Sequence, residues 1–134
     1  MFAAMLLAIS IVALGHFAFF YWRAILSGVA AQPVSARVLD SAGVAGGRLS
    51  AQHFPALAEL HDLTASLDPA AGSLNVVRSY YRVVRTLGTL FGKLSPGMAS
   101  WSERERTICA RYAAVQVDRR LEANLAFSAS LRSC

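Results

Sequence analysis

Charge is what this sequence has least of. Of its 134 residues, 16% are Asp, Glu, Lys or Arg, where a soluble domain carries ~25%. Lysine is nearly missing, since Lys93 is the only one beside twelve arginines. Intrinsic disorder needs low hydrophobicity and high net charge; a chain that is 55% hydrophobic with a mean hydropathy of +0.44 is excluded from that class. Two cysteines are too few for a disulfide-stapled miniprotein. No HExxH, CxxC, Walker loop or GxGxxG is present, so the short motifs of zinc proteases, thiol redox proteins and nucleotide-binding folds are missing. Gly43, Gly46 and Gly47 lie close together, but no strand precedes them and no lysine follows, which argues against a phosphate loop.

What is present begins at the N-terminus. Met1 to Trp22 carries no charged side chain, and Arg23 is the first. About 20 helical residues at 1.5 Å each cross a ~30 Å hydrocarbon core, and the stretch from Phe2 to Leu26 is long enough to do so with some tilt. Its far end reads Phe17, Phe19, Phe20, Tyr21, Trp22, Arg23, an aromatic belt followed by an interfacial cation. A cleaved signal peptide would place a basic stretch before a shorter apolar run; here no Lys or Arg precedes the run, although Val29-Ala30-Ala31 mimics a cleavage site. The expectation is an uncleaved single-pass anchor over residues 1–28. Arg23 and Arg37 follow the span and only the α-amine precedes it, so the bias of cations toward the cytoplasm predicts N-out with the C-terminal domain cytoplasmic. A periplasmic or extracellular domain is the alternative.

The remainder predicts an all-α protein. Residues 29–49, punctuated by Pro33, Gly43, Gly46 and Gly47, read as a juxtamembrane linker with one short helix from Ser35 to Ala42. Residues 50–134 read as a helical domain of about three helices. Ser50 caps the first, which runs to about Leu67 with Phe54, Leu57, Leu60, Leu63 and Leu67 on its apolar side. Asp68 to Gly72 is a loop, and Ser73 caps a second helix from Leu74 to about Phe91. Ser95-Pro96 suits an N-cap and first turn, and Ser100 to Glu103 reads as a capping box ahead of an unbroken helix to about Leu131. The short connection at 92–97 makes the last two helices an antiparallel hairpin.

Candidate sites are few. His16 lies mid-span, where an ionisable residue is costly and therefore a functional candidate. It points either to a contact with a neighbouring helix or to haem or chlorophyll-type cofactor ligation, the second ligand coming from a partner. No GxxxG spacing accompanies Gly15 in the span. His53 and His61, eight residues apart, are ~12 Å apart along a helix and cannot share a metal unaided; His61, beside Asp62 and Glu59, reads as solvated surface. Cys109 and Cys134 would be nearly 40 Å apart on one helix, so a disulfide needs the tail to fold back.

Arg78, Arg82, Arg85 and Lys93 form a basic stripe. It faces either anionic headgroups beside an anchor, an acidic protein partner, or Glu59, Asp62 and Asp68 of the preceding helix. Nucleic acid is not expected, because the tyrosines fall on the apolar side rather than among the arginines. The last helix carries apolar residues on two sides: Trp101, Ile108, Tyr112 and Val115, then Val117, Leu121 and Leu125. One partner helix cannot cover both. The functional expectation is a non-enzymatic accessory or assembly subunit of a larger membrane complex. Its partners are the bilayer and other membrane subunits or further copies of itself, and no small-molecule substrate is identified. A His16 cofactor-binding subunit and a self-assembling filament protein are the alternatives.

Overall fold

A computed structural model describes residues 1–64 and 74–133. The chain is all-α, with no strand among the described residues. Its helices are α1 (Phe2–Ala30), α2 (Ala36–Ser41), α3 (Phe54–Leu63), α4 (Asn75–Phe91) and α5 (Pro96–Arg132), with short 3-10 turns at Ala45–Gly47 and Ala51–His53. The expected helix from Ser50 is shorter than its sequence pattern, because Thr64 turns to extended backbone after Leu63. The expected positions of Leu67, Asp68, the 68–72 loop, the Ser73 cap and Cys134 lie outside the described residues.

Helix α5 is the axis of the fold. Cys109, Ala110, Ala113, Ala114 and Val117 are buried along it, and side chains this small let helices approach from several directions at once. Against them pack Val77 and Tyr81 of α4, Phe54, Leu57 and Ala58 of α3, Val38 of α2 and Leu26 of α1. The buried apolar positions of α5 over residues 102–117 are thus covered by other helices of the same chain. Phe54 and Tyr81 stack at 4.3 Å between centroids, and the Tyr81 hydroxyl donates to the Ala51 carbonyl at 3.0 Å, so the ring is buried without orphaning its polar end.

Local signals explain most of the joints. Pro96 stands in the first turn of α5 with Ser95 at the N-cap position. The helix therefore begins a turn and more before the expected capping box, and Ser100 to Glu103 lie inside it. Ser102, which belonged to that expected box, is buried instead and donates to the Val84 carbonyl across the hairpin at 3.0 Å. Ser50 does begin a turn, with His53 in the reciprocal position: the Ser50 backbone N–H donates to His53 Nδ1 at 3.1 Å. Helix α2 ends at Gly43, whose φ of 71° admits paired bonds from Gly43 N–H to Asp40 and from Val44 N–H to Leu39, the closure in which glycine carries the left-handed residue. Asp118 on α5 accepts the Ser35 N–H at 2.9 Å and its hydroxyl as well, which fixes the other end of α2. The segment 29–49 is therefore docked on the core, through Val38 and Val44, rather than extended between two bodies.

Among the described residues one helix, α1, is long and apolar enough to cross a membrane. From Phe2 through Phe17 it packs against no other element among the described residues, and its large apolar side chains are more than 60% exposed. Beyond Phe19 it lies on the domain, with Leu26 fully buried. Arg23 meets Glu105, and further along Arg119 reaches Gln32 at 2.8 Å. Both helices advance together, so α1 runs parallel to α5 and antiparallel to α4.

Candidate functional site

The foot of α1 is where charge enters the core. Glu105 is 0% exposed, one turn before Cys109 on the face of α5 that α1 and α4 cover. An isolated carboxylate there would lose several kcal/mol of hydration. Two groups offset that loss. Arg23 Nε on α1 lies 2.8 Å from Oε1, out of line for a hydrogen bond, so Oε1 is held by charge alone. The Tyr80 hydroxyl on α4 donates to Oε2 at 2.9 Å, and Phe19 packs on the Tyr80 ring with centroids 6.2 Å apart. Three helices thus share one carboxylate. Burial, then the hydrogen bond to Glu105 and its charge, raise the Tyr80 phenol well above its ordinary value, so it stays a donor at any physiological pH. Burial and then the Glu105 charge push the Cys109 thiol up to about 12, which leaves it without the thiolate that reactive cysteines need.

Sequence reading passes over this node. Glu105 sits in the run Ser102-Glu103-Arg104-Glu105-Arg106, which looks like a solvated charged face. The available signal is its register: Glu105, Cys109, Ala113 and Val117 recur every four residues, one stripe of a helix. Of the expected interfacial residues, Arg23 pairs with Glu105 while keeping 42% of its side chain exposed, and Trp22 is half-buried against the core cluster. Tyr21 is the most exposed of the three, stacked on Phe17 at 6.4 Å.

The expected basic stripe divides. Arg78 donates to the Ala58 carbonyl at 2.9 Å and to Asp62, so its partner is α3. That pair draws the Asp62 carboxyl below its ordinary range. Arg82 and Arg85 line a shallow cleft with Glu59, Asp62, Phe54 and Tyr81, yet no carboxylate among the described residues lies within 4.0 Å of them or of Lys93. Lys93 stands apart, in the turn between α4 and α5.

His61 is buried, 3% exposed, which corrects its reading as solvated surface; α3 turns it onto α5. Among the described residues its ring nitrogens have no hydrogen-bond partner, and Asp62 Oδ1 at 3.6 Å is too far to be one. Burial and then the Arg120 guanidinium, which donates to the His61 carbonyl at 2.8 Å, lower its pKa against the weaker pull of Asp62. His53 is engaged with Ser50, and among the described residues no group of three His, Cys, Asp or Glu side chains gathers to hold a metal. His16 is exposed on α1, against Phe20 at 4.8 Å and beside a groove formed by Ala8, Ile9, Val12 and Ala13 of its own helix. Cys109 is enclosed, and α5 runs unbroken to Arg132, ~35 Å beyond it at 1.5 Å per residue.

No protein family, curated protein or solved structure matches this chain.

Proposed function

We propose that the chain is a non-enzymatic single-pass membrane protein that serves as an accessory or assembly subunit of a larger membrane complex. The joint at Glu105 carries this reading. A flexible tether would leave the helical domain free of its apolar helix, whereas the Arg23–Glu105–Tyr80 contact makes α1 and the α4–α5 hairpin one strut. The domain is then held at a fixed angle and distance from the bilayer, which is what an assembly factor needs in order to present a surface.

The same joint argues for retention of α1. Cleavage after Ala31 would remove Leu26 from the core and strip Glu105 of both its cation and the helix that covers it. Arg23 and Arg37 follow the span, which favours N-out with the domain in the cytoplasm. At the opposite end, α5 continues past the Arg120 contacts with α3 and exposes Leu125, Phe127 and Leu131. That end points away from α1 and offers another subunit apolar side chains on both sides of the helix, Leu125 on one and Phe127 with Leu131 on the other.

Native mass spectrometry of the full chain, extracted in mild detergent from its own membranes, tests the reading. A reproducible hetero-complex, lost when Leu125 and Phe127 are changed to Ser, is the expected result. A monomer or a homo-oligomer alone would overturn the accessory-subunit assignment. Release of the chain by alkaline carbonate would overturn the anchor itself.

A further inference from the structure

The α4–α5 hairpin carries an apolar end that the accessory-subunit reading does not use. From Thr86 to Ser102 the sequence holds one charged residue, Lys93. Leu90, Phe91, Leu94 and Met98 are exposed there, Leu94 by 81%. Glycines allow the two helices to close tightly behind this end. A Cβ on Gly88 would lie 2.2 Å from Ser102 Oγ, and one on Gly92 would lie 2.2 Å from the Gly88 carbonyl and 3.3 Å from Ala99 Cβ. Gly88 and Gly92 are four residues apart, the close-packing spacing common between helices in lipid.

The direction of this end follows from the foot of α1. Phe19 is level with Tyr80 and Arg23 with Glu105. From that level α1 continues toward its N-terminus, α4 toward its C-terminus and α5 toward its N-terminus, all the same way. Tyr80 to Phe91 is eleven residues, ~16 Å of helix; a crossing angle as wide as ~50° would leave ~10 Å of that along α1. Arg82 and Arg85, exposed and without a carboxylate in reach among the described residues, lie ~3–8 Å along α4 from Tyr80, or ~2–5 Å of the projection at that angle, and the apolar residues lie beyond them.

We infer that the tip of the α4–α5 hairpin, Leu90 to Met98, inserts into the leaflet that α1 enters, with Arg82 and Arg85 at the level of anionic headgroups. Interfacial elements bury their apolar faces ~5–10 Å into a leaflet, the depth the projection supplies. Lys93 fits that shallow position because its methylene stem lets the ammonium reach back to the phosphates. This inference rests on α1 spanning the bilayer.

The test keeps the two separate. The full chain carrying C134S, in which Cys109 is enclosed, receives a single new cysteine by L94C, by L14C in α1, or by S128C near the far end of α5. Each is labelled with an environment-sensitive nitrobenzoxadiazole probe and reconstituted in phosphatidylcholine–phosphatidylglycerol vesicles. Blue-shifted emission and quenching by acyl-chain bromines are expected at positions 94 and 14 and not at 128. R82Q and R85Q together should shift the position-94 emission back toward the red in the anionic vesicles, and much less in pure phosphatidylcholine. Quenching at 14 with water-like emission at 94 overturns the hairpin insertion and leaves the anchor standing. Water-like emission at both positions overturns the spanning reading on which it rests.

Discussion

Glu105 shows how much one buried carboxylate constrains its neighbours. Arg23→Met would leave it in the core without a cation. Breaking a fully buried pair in this way loses ~3–5 kcal/mol; the Arg23 side chain is 42% exposed, so a loss of about 2–3 kcal/mol is expected, read from thermal unfolding of the full chain in detergent micelles by circular dichroism. Adding Glu105→Leu should restore much of that loss, leaving chiefly the Tyr80 hydroxyl without its acceptor, ~1 kcal/mol. A double variant no more stable than R23M would mean that the pair is not coupled. His61 yields a pH prediction. Its folded pKa is lowered from 6.5, so below that pH the unfolded chain takes up a proton that the folded chain refuses. Stability is therefore full above about 6.5 and falls as pH drops toward the folded pKa, with a slope of at most ~1.4 kcal/mol per pH unit. His61→Leu should flatten the melting profile between pH 7 and 5. An unchanged slope would place the acid sensitivity elsewhere.

At the scale of elements, the hairpin and the docked foot of α1 follow different rules. The hairpin is local: a four-residue connection joins α4 to α5, and small residues at Gly88, Gly92, Ala99 and Ser102 set their spacing. Gly88→Val would drive a side chain into Ser102 and is expected to destabilise the chain by ~1–3 kcal/mol, as overpacking does. Gly15→Val, on a part of α1 with nothing within 4 Å, should leave the melting temperature unchanged. Equal effects would show that the hairpin relaxes around the new side chain. The docked part of α1 is non-local and depends on Leu26, whose full burial stabilises by ~1.5–3 kcal/mol, together with Arg23.

For the whole molecule, α1 is both an apolar helix and a piece of the core, and these roles divide near Phe19. A chain beginning at Val34 loses Leu26 and Arg23 and exposes Glu105. It is expected to melt well below the full chain or to aggregate, measured by circular dichroism and limited proteolysis. Replacing the apolar residues from Phe2 to Phe17 with Ala and Gln should instead leave the fold intact and remove the membrane affinity, seen as release by carbonate. If the chain from Val34 melts with the full-length protein, the docking of α1 contributes nothing to stability.

Patterns within one element were legible without coordinates. An uncharged run through Trp22 can only be a long apolar helix, the helical spacing of Val77, Tyr81 and Val84 defines an amphipathic helix, and Ser95-Pro96 begins the last one, because periodicity, capping and charge are properties of neighbours in sequence. The tertiary structure decided what depends on approach between distant segments. Glu103 and Glu105 are nearly identical in sequence context, yet only Glu105 meets α1 and α4. His61 looks solvated until α3 turns it onto α5, and Arg78 differs from Arg82 only because Asp62 lies within reach. Sequence determined which surfaces of each helix are apolar; packing determined which of them are covered, since coverage belongs to pairs of helices and leaves no pattern in either one alone.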